Sequence, residues 1–411
     1  MAIGPIALPD AADQGTIELV QPHSSERGDL DARAEWKRGW RVVLAAAIGI
    51  STGMLLYNFI SSVFIQHYEA EFAWSRGQIA LGGVGLLLGA LSAPLAGKMV
   101  DRIGVRRVIF LASIGYALIC VAMAMQTGSL ALFYLLNLLL ALVGVSTGGL
   151  SWTRVISTAF DRSRGLAISA GVAAVSITAG IVPLVLHFLI TATSWRVGWF
   201  FVGGLALTCG MLALAILPRF AATVAPRTQV VGGLKEAARM PDYWWLFGAM
   251  LLVNIPAGGV LTQLAALISD KYGTGAQAAL VMSAFTVAVF VGRFTAGFSV
   301  DRFPATRVAF VMAFIPAIGC IFLLGDAPPF AAIMIGIVLI GLNQGADGDL
   351  APYIVSKRFG MTAFSQIVGS IYASFALGTA IGAGLFGFIY DRFGSYDVAL
   401  MMAQARFWWV P

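Results

Sequence analysis

A single arginine stands inside a long apolar stretch in the second half of the chain. The stretch runs from Ala276 to Arg302, and Arg293 is the charged residue in its interior. About 20 mostly apolar residues are enough for a helix to cross a bilayer. Arg293 lies roughly 12 Å from the end of this helix at about 1.5 Å per residue. An arginine at such a depth costs at least ~2.5 kcal/mol unless it meets a partner charge, water or an anionic ligand.

Two interpretations of Arg293 follow from this cost. The arginine forms a structural salt bridge to a carboxylate on another helix, Asp347 or Asp349, or it binds an anion in a translocation path. A guanidinium presents paired N–H donors whose geometry matches a carboxylate. We therefore favour an anion-binding arginine and keep the salt bridge as the alternative.

The two aspartates are themselves unusual inside an apolar stretch. As intramembrane carboxylates, Asp347 and Asp349 could carry a proton. They could also pair with Arg154 and close a gate at the inner side. We favour the gate.

Other polar residues inside apolar stretches are candidates for a substrate site. Polar groups in hydrocarbon need hydrogen-bond partners, so these side chains should face the interior of a helix bundle. The sequence leaves open whether they line a cavity or hold helices together. They are Tyr57, Asn58, Asn343, Gln344 and Tyr372.

The composition fixes the class of protein that positions these residues. With 59% hydrophobic and 11% charged residues among 411, the chain is too apolar for a soluble globular protein. Apolar runs recur along its whole length, which predicts an all-α polytopic membrane protein with 12 transmembrane helices, the last one short. We predict the first span, residues 40–64, and the fourth span, residues 130–156, as one helix each.

The domain organisation follows from polar segments and an internal repeat. We predict a disordered cytoplasmic tail over residues 1–36, a six-helix bundle over 37–217, a central cytoplasmic loop over 218–241 and a second six-helix bundle over 242–411. Residues 97–107 are echoed at an offset of 200 by residues 297–307. Two pseudo-symmetric bundles of this kind place a substrate site at their interface, near the midplane.

The positive charges predict the orientation. If the N-terminus is cytoplasmic and the spans alternate, 20 of the 26 lysines and arginines lie on the inner side and four on the outer side. Cytoplasmic loops carry such an excess. We therefore expect an inner or plasma membrane protein with a cytoplasmic N-terminus.

The repeated loop has a pattern that a plain basic turn would not require. A glycine lets two helices approach closely, an aspartate can cap or pair at a helix end, a second glycine permits a tight turn, and two arginines hold the loop at the cytoplasmic side. In the second copy, Pro304 stands where the first has a glycine. The residues to which we assign a role in conformational switching are Gly97, Asp101, Arg102, Gly104, Arg106, Arg107, Asp301, Arg302, Arg154, Asp347 and Asp349.

Residues 97–107 match every position of G-x-x-x-D-R-x-G-x-R-R, and so the chain resembles the major facilitator superfamily. Residues 72–76, 160–167 and 345–360 further resemble its monocarboxylate-transporter-like branch and the bacterial relatives of that branch. The resemblance implies that Arg293 meets the substrate carboxylate. Proton-coupled members carry an acidic residue one turn before this arginine and a lysine in the first helix. This chain has Val289 and Asn58 there, so proton symport by that mechanism is not expected.

We therefore expect a secondary transporter of a small, monocarboxylate-like organic anion, with the bilayer as its surroundings and proton or counter-anion coupling left open. The alternatives are efflux of drugs or metabolites, an oxalate- or formate-type anion exchanger and, from another class, a polytopic membrane enzyme. Three scattered histidines provide no catalytic constellation, so we predict no enzyme and no metal. No G-x-x-x-x-G-K-[ST] phosphate loop occurs, and we expect no cofactor. The net charge of +6 follows from membrane orientation and requires no nucleic acid.

Overall fold

The computed structural model describes residues 24–218, 232–272, 276–325 and 328–393, together with 398 and 400–401. Within these residues the chain folds as α-helices joined by short turns. The first half contains ten of them: α1 (Ser24–Ser51), α2 (Met54–Phe72), α3 (Arg76–Leu81), α4 (Gly83–Leu91), α5 (Ala93–Ile103), α6 (Val105–Ala124), α7 (Leu130–Gly144), α8 (Gly149–Ala159), α9 (Arg164–Ala192) and α10 (Trp195–Ile216).

The second half repeats this arrangement with longer, less interrupted helices. A short helix, α11 (Leu234–Ala237), leads into it from the first half. The remaining helices are α12 (Pro241–Tyr272), α13 (Ala276–Arg302), α14 (Ala305–Phe322), α15 (Phe330–Arg358) and α16 (Phe364–Phe393). The predicted twelfth helix, which begins near residue 396, lies largely outside the described residues.

The all-helical, polytopic prediction is confirmed. Ten helices or helix pairs in the described residues are long and apolar enough to cross a membrane. An eleventh span is bent by 45° where α4 meets α5. The predicted spans correspond to α1–α2, α3–α5, α6, α7–α8, α9 and α10 in the first half and to α12 through α16 in the second.

Two expectations need correction. Helix α1 begins at Ser24, so residues 24–36, which the polar composition assigned to a disordered tail, are helical; residues 1–23 lie outside the described residues. The first and fourth spans are also not continuous. The first is interrupted at residues 52–53, and the fourth passes through a 3-10 turn at Val145–Thr147 before α8 begins.

A hydrogen bond joins the two helix interruptions. The backbone N–H of Met54, left without an intrahelical partner at the start of α2, donates to Oγ1 of Thr147 at 3.2 Å. Such orphan donors at helix ends need a partner when they are buried. Gly53 leaves the necessary room, because a Cβ there would lie 2.5 Å from the same Thr147 oxygen. The break in one span is thus stabilised by the break in the other.

Helices within each half approach closely through glycines. A Cβ on Gly292 of α13 would collide with the carbonyl oxygen of Leu342 on α15, and one on Gly345 of α15 would lie 2.9 Å from the backbone nitrogen of Arg293. Helices α4 and α7 pack in the same way at Gly85, whose Cβ would lie 2.9 Å from the Leu138 nitrogen. Small residues at helix contacts are typical of membrane bundles, where close backbone packing replaces hydrophobic driving force.

One face of the bundle carries the turns at residues 103–105, 160–163, 303–304 and 359–363. We call it the basic face, because lysine and arginine are concentrated there. The other face, with the turns at 125–129, 193–194 and 323–325, is the distal face. These two surfaces frame the sites described below.

Candidate functional site

The buried arginine pairs with a carboxylate. Nη1 of Arg293 on α13 donates to Oδ1 of Asp349 on α15 at 3.1 Å, and their side chains are 17% and 6% exposed. This contact is the salt bridge that the sequence kept as the alternative. Nε of Arg293 and Oδ2 of Asp349 make no hydrogen bond with the described residues. The pair therefore has one hydrogen bond instead of the two that a guanidinium and a carboxylate can form.

The close approach of α13 and α15 explains why this pair forms. Gly292 and Gly345 bring the two backbones into contact immediately beside Arg293. The arginine side chain then runs along α15 and reaches Asp349, one turn beyond Gly345. A bulkier residue at either glycine would separate the helices and place the charges too far apart.

The two aspartates of α15 serve different partners. Residues two apart on a helix point about 200° away from each other, and Asp347 accordingly faces α12. There its Oδ2 accepts a hydrogen bond from the Asn254 amide at 2.8 Å. The predicted gate between these aspartates and Arg154 is wrong, because Arg154 lies against Asp101 at the basic face.

Tyr372 lies between the two halves near this pair. Its hydroxyl donates to the carbonyl oxygen of Gly348 at 3.3 Å, and it would lie 3.4 Å from a Cβ on Gly149 of the first half. A Cβ on Gly348 would meet no atom within 4 Å. There is consequently open space at Gly348, beside Asp349 and next to the seam between the halves.

The other predicted substrate residues are not brought to one place. The Tyr57 hydroxyl donates to Oδ1 of Asn137 at 2.6 Å, so in this conformation Tyr57 joins α2 to α7 inside the first half. Asn58 is exposed, Asn343 is buried on α15, one turn from Asp347, and Gln344 is half-buried. Their assignment to the substrate site stays a prediction.

The first copy of the repeated loop ties the two halves together. The carboxylate of Asp101 at the end of α5 accepts hydrogen bonds from the backbone N–H groups of Ser365 and Gln366, at 3.2 and 2.9 Å, at the start of α16. Arg154 of α8 pairs with the same carboxylate and donates to the carbonyl oxygen of Met361 at 3.2 Å. A carboxylate at a helix N-terminus is favoured by the orphan N–H groups there and by the helix dipole.

The second copy makes the symmetry-related contact. Asp301 at the end of α13 accepts hydrogen bonds from the N–H groups of Gly165 and Leu166 at 2.8 and 2.9 Å, at the start of α9 in the other half. Pro304 changes the turn but leaves this contact in place. Arg302 stacks on the Phe298 ring, with its guanidinium carbon 3.5 Å from the ring centroid.

The remaining residues of the first copy shape the loop. Arg106 donates to the carbonyl oxygens of Leu217 and Leu214, at 2.7 and 2.9 Å, which the end of α10 leaves without partners. Gly104 has a φ of 90°, a conformation that glycine adopts without strain. Arg102 and Arg107 are exposed. The loop is held to α10 by Arg106 and to the other half by Asp101.

A third set of contacts closes the basic face, and its residues could not be identified from the sequence. Arg164 donates to the Ser356 hydroxyl at 2.7 Å, and Lys357 donates to Oδ1 of Asp161 at 2.8 Å. The hydrogen bond from the Lys357 ammonium lowers the pKa of Asp161, which keeps that carboxylate charged at neutral pH. The Glu35 carboxylate accepts from the N–H groups of the 161–163 turn at 3.0 to 3.1 Å. Together with Asp101 and Asp301, these contacts close the basic face.

The sequence carries only weak signals for the contact residues that the sequence analysis did not identify. Asp161 falls in the turn before α9 and Lys357 in the last turn of α15, and nothing in their spacing reveals that they meet. Thr147 stands in the run Ser146-Thr147-Gly148-Gly149 inside an apolar stretch, and polar residues next to glycines mark a possible helix break. Asn254 is a polar residue within an apolar stretch, but its partner Asp347 lies on another helix.

Comparison with known proteins identifies the family. Residues 44–273 and 246–408 match the sequence profile of the Major Facilitator Superfamily. The chain is 22% identical over 378 residues to Monocarboxylate transporter 13 of Rattus norvegicus, covering 89% of this chain and 86% of the relative. Its fold is similar to that of the E. coli fucose:proton symporter FucP, with a TM-score of 0.68, 17% identity and coverage of 90% and 96%. The human organic anion transporter MFSD10 (TETRAN) is also similar, with a TM-score of 0.67, 14% identity and coverage of 90% and 98%.

Proposed function

Because the chain belongs to the Major Facilitator Superfamily, a family of transporters, we propose that it carries a small, monocarboxylate-like organic anion across the inner or plasma membrane by alternating access. The observation that carries this proposal is Arg293, a guanidinium held deep in the second half on a helix whose interior has no other charged residue. The names of the rat monocarboxylate transporter and the human organic anion transporter agree with an anionic substrate.

The geometry around Arg293 suits a carboxylate ligand. The arginine makes one hydrogen bond to Asp349, and its buried Nε makes none with the described residues. Two adjacent N–H groups of a guanidinium can bind both oxygens of a carboxylate. The open space at Gly348, with the Tyr372 hydroxyl on its border, would admit a short organic acid to this position.

The closed basic face defines the conformation. With the N-terminus in the cytoplasm, as the distribution of lysine and arginine favours, the contacts of Asp101, Asp301 and Lys357 close the cytoplasmic side. The path to the cytoplasm is then shut in this structure. Breaking these contacts and rocking the two halves would open the path to the cytoplasm.

Uptake into proteoliposomes tests the proposal. The purified full chain, reconstituted and preloaded with unlabelled acid, is offered radiolabelled lactate, pyruvate, formate or oxalate. We expect counterflow of at least one monocarboxylate, and no counterflow of labelled fucose or xylose. Absence of counterflow for every acid, with a folded protein in the vesicles, would contradict the proposed function.

A bulky residue at Gly348 should block the substrate path. Gly348→Leu fills the open space beside Asp349 without a backbone clash, since a Cβ there meets no atom within 4 Å. We expect uptake to fall by about 10-fold or more, a loss of at least ~1.4 kcal/mol of substrate binding, because the leucine side chain occupies the volume that the substrate would need. Gly384→Leu is the matched control, because Gly384 is exposed on α16 and also meets no atom within 4 Å. Equal uptake by the two variants would place the path elsewhere.

A further inference from the structure

The pairing of Arg293 with Asp349 has a consequence for charge balance, and the inference drawn from it rests on the proposed function. In the conformation described here, one positive and one negative side chain offset each other inside the second half. A carboxylate substrate that binds Arg293 brings a second negative charge to a single guanidinium. An unpaired charge in a poorly solvated site is strongly unfavourable, so the bound state needs one further positive charge or one fewer negative charge.

The groups that face Asp349 come from three neighbouring helices. Helix α13 contributes Arg293, and α16 contributes the Tyr372 hydroxyl, which is close enough to interact electrostatically with both members of the pair. Helix α9 contributes Ser169, whose hydroxyl faces the carboxylate but makes no hydrogen bond of normal geometry. On α15 itself, Asp347 points away and bonds to Asn254. Among the described residues, then, the cation that faces Asp349 is Arg293.

We propose that Asp349 is the proton-carrying group of this transporter. When the substrate carboxylate takes the Arg293 guanidinium, Asp349 loses its partner, and its Oδ2, which has no hydrogen-bond partner among the described residues, accepts one proton from the outer solution. After the substrate leaves on the inner side, Arg293 binds Asp349 again and the proton is released there. One proton thus moves with each monocarboxylate.

Charge neutrality in both directions follows from this cycle. The empty site holds Arg293 and ionised Asp349, and the loaded site holds Arg293, the anion and protonated Asp349. Neither the empty nor the loaded site carries a net charge. The two halves can therefore rock in both states without moving an unpaired charge through hydrocarbon. The carboxylate on α15 would thereby supply the acidic group that is absent at Val289, one turn before the arginine.

Transport by the full chain in vesicles that enclose a pH-sensitive dye tests the inference. We expect labelled lactate uptake to acidify the lumen with one proton per lactate, and a potassium diffusion potential set by valinomycin to leave the rate unchanged. Lactate uptake that responds to the potential and leaves the lumen pH unchanged would overturn the inference while leaving the proposed function intact. If the wild-type chain transports no carboxylate at all, both fall together.

Asp349→Asn separates proton coupling from substrate binding. In this variant the empty site holds an unpaired guanidinium, so the empty transporter should not be able to return to the outer side. The loaded site is neutral, and its reorientation should continue. We expect net uptake driven by a pH gradient to drop more than ~10-fold, because an unpaired buried charge costs more than the free energy of one factor of ten. Lactate counterflow should persist and lose its pH dependence. Unchanged gradient-driven uptake in a folded Asp349→Asn protein would overturn the inference.

Two further variants keep the test decisive. Val289→Asp combined with Asp349→Asn places a carboxylate four residues before Arg293, on the same helix face, and should restore acidification of the lumen. Asp347→Asn changes a carboxylate of the same helix that faces Asn254 instead of the arginine, and should keep one proton per lactate. If Asp349→Asn fails to fold, the wild-type stoichiometry and the Asp347→Asn variant still decide the outcome. If Asp347→Asn abolished acidification of the lumen, the proton-carrying role would belong to Asp347 and the inference for Asp349 would be contradicted.

Discussion

Replacing Arg293 by lysine is expected to reduce monocarboxylate uptake by roughly 10- to 100-fold. Lysine keeps the positive charge, and so also the attraction to Asp349, but it offers a compact ammonium in place of a planar fork. Losing one charge-assisted hydrogen bond to the substrate costs about 1.5–3 kcal/mol. The initial rate of labelled lactate uptake in proteoliposomes measures the effect.

The matched control is Arg392→Lys, an exposed arginine in the last turn of α16. Both variants should enter the membrane in wild-type amounts and melt at similar temperatures, since neither changes the charge of the chain. Unchanged uptake of every carboxylate in Arg293→Lys would show that the arginine is a structural partner of Asp349 and lies outside the substrate site.

The sequence predicted the architecture because its signals are local. Each apolar run is long enough to be recognised by itself, and the repeat at residues 97–107 and 297–307 reveals two related halves. The aspartates of that repeat could be assigned to conformational switching for the same reason. In the structure, Asp101 and Asp301 each accept hydrogen bonds from the first N–H groups of a helix in the opposite half.

Partners of the buried charges could not be derived in the same way. Arg154 could reach any carboxylate near the basic face, and choosing Asp101 over the aspartates of α15 requires the position of one half against the other. For Arg293 the sequence narrowed the partner of a salt bridge to Asp347 or Asp349, but choosing between them depends on where α13 and α15 touch. Only the packing of Gly292 and Gly345 reveals that Asp349 lies within 3.1 Å.

The helix interruptions were missed because hydrophobicity does not report them. Residues 51–53 and 146–148 both read Ser-Thr-Gly inside long apolar runs, and such small residues are common in unbroken membrane helices. Each break is stable because Thr147 accepts the Met54 N–H from the other span. The hydrogen bond that joins the two breaks links residues 93 positions apart, and neither segment reveals that the other is its partner.

A side chain at Gly97 should force the basic face open. A Cβ there would collide with the carbonyl oxygen of Ser365 and lie 2.7 Å from Cα of Gln366, both backbone atoms of α16. Backbone atoms cannot turn aside as a flexible side chain can, so Gly97→Leu must move α5 away from α16. Overpacking of this type costs about 1–3 kcal/mol, and we expect the closed population to fall about 10-fold or more.

The opening can be measured at a seam that does not contain the substitution. Nζ of Lys357 on α15 lies 2.8 Å from Oδ1 of Asp161 in the turn before α9. Cysteines at both positions, in a chain whose Cys120, Cys209 and Cys320 are replaced by alanine, should be joined by a short bifunctional thiol cross-linker while the basic face is closed. Gly97→Leu should lower the yield of this cross-link. Gly204→Leu should leave it unchanged, because Gly204 is exposed on α10 and meets no atom within 4 Å. If Gly97→Leu cross-links as well as the parent chain, the α5–α16 and α9–α15 seams open independently, and the rigid rocking of two halves that alternating access requires does not describe this protein.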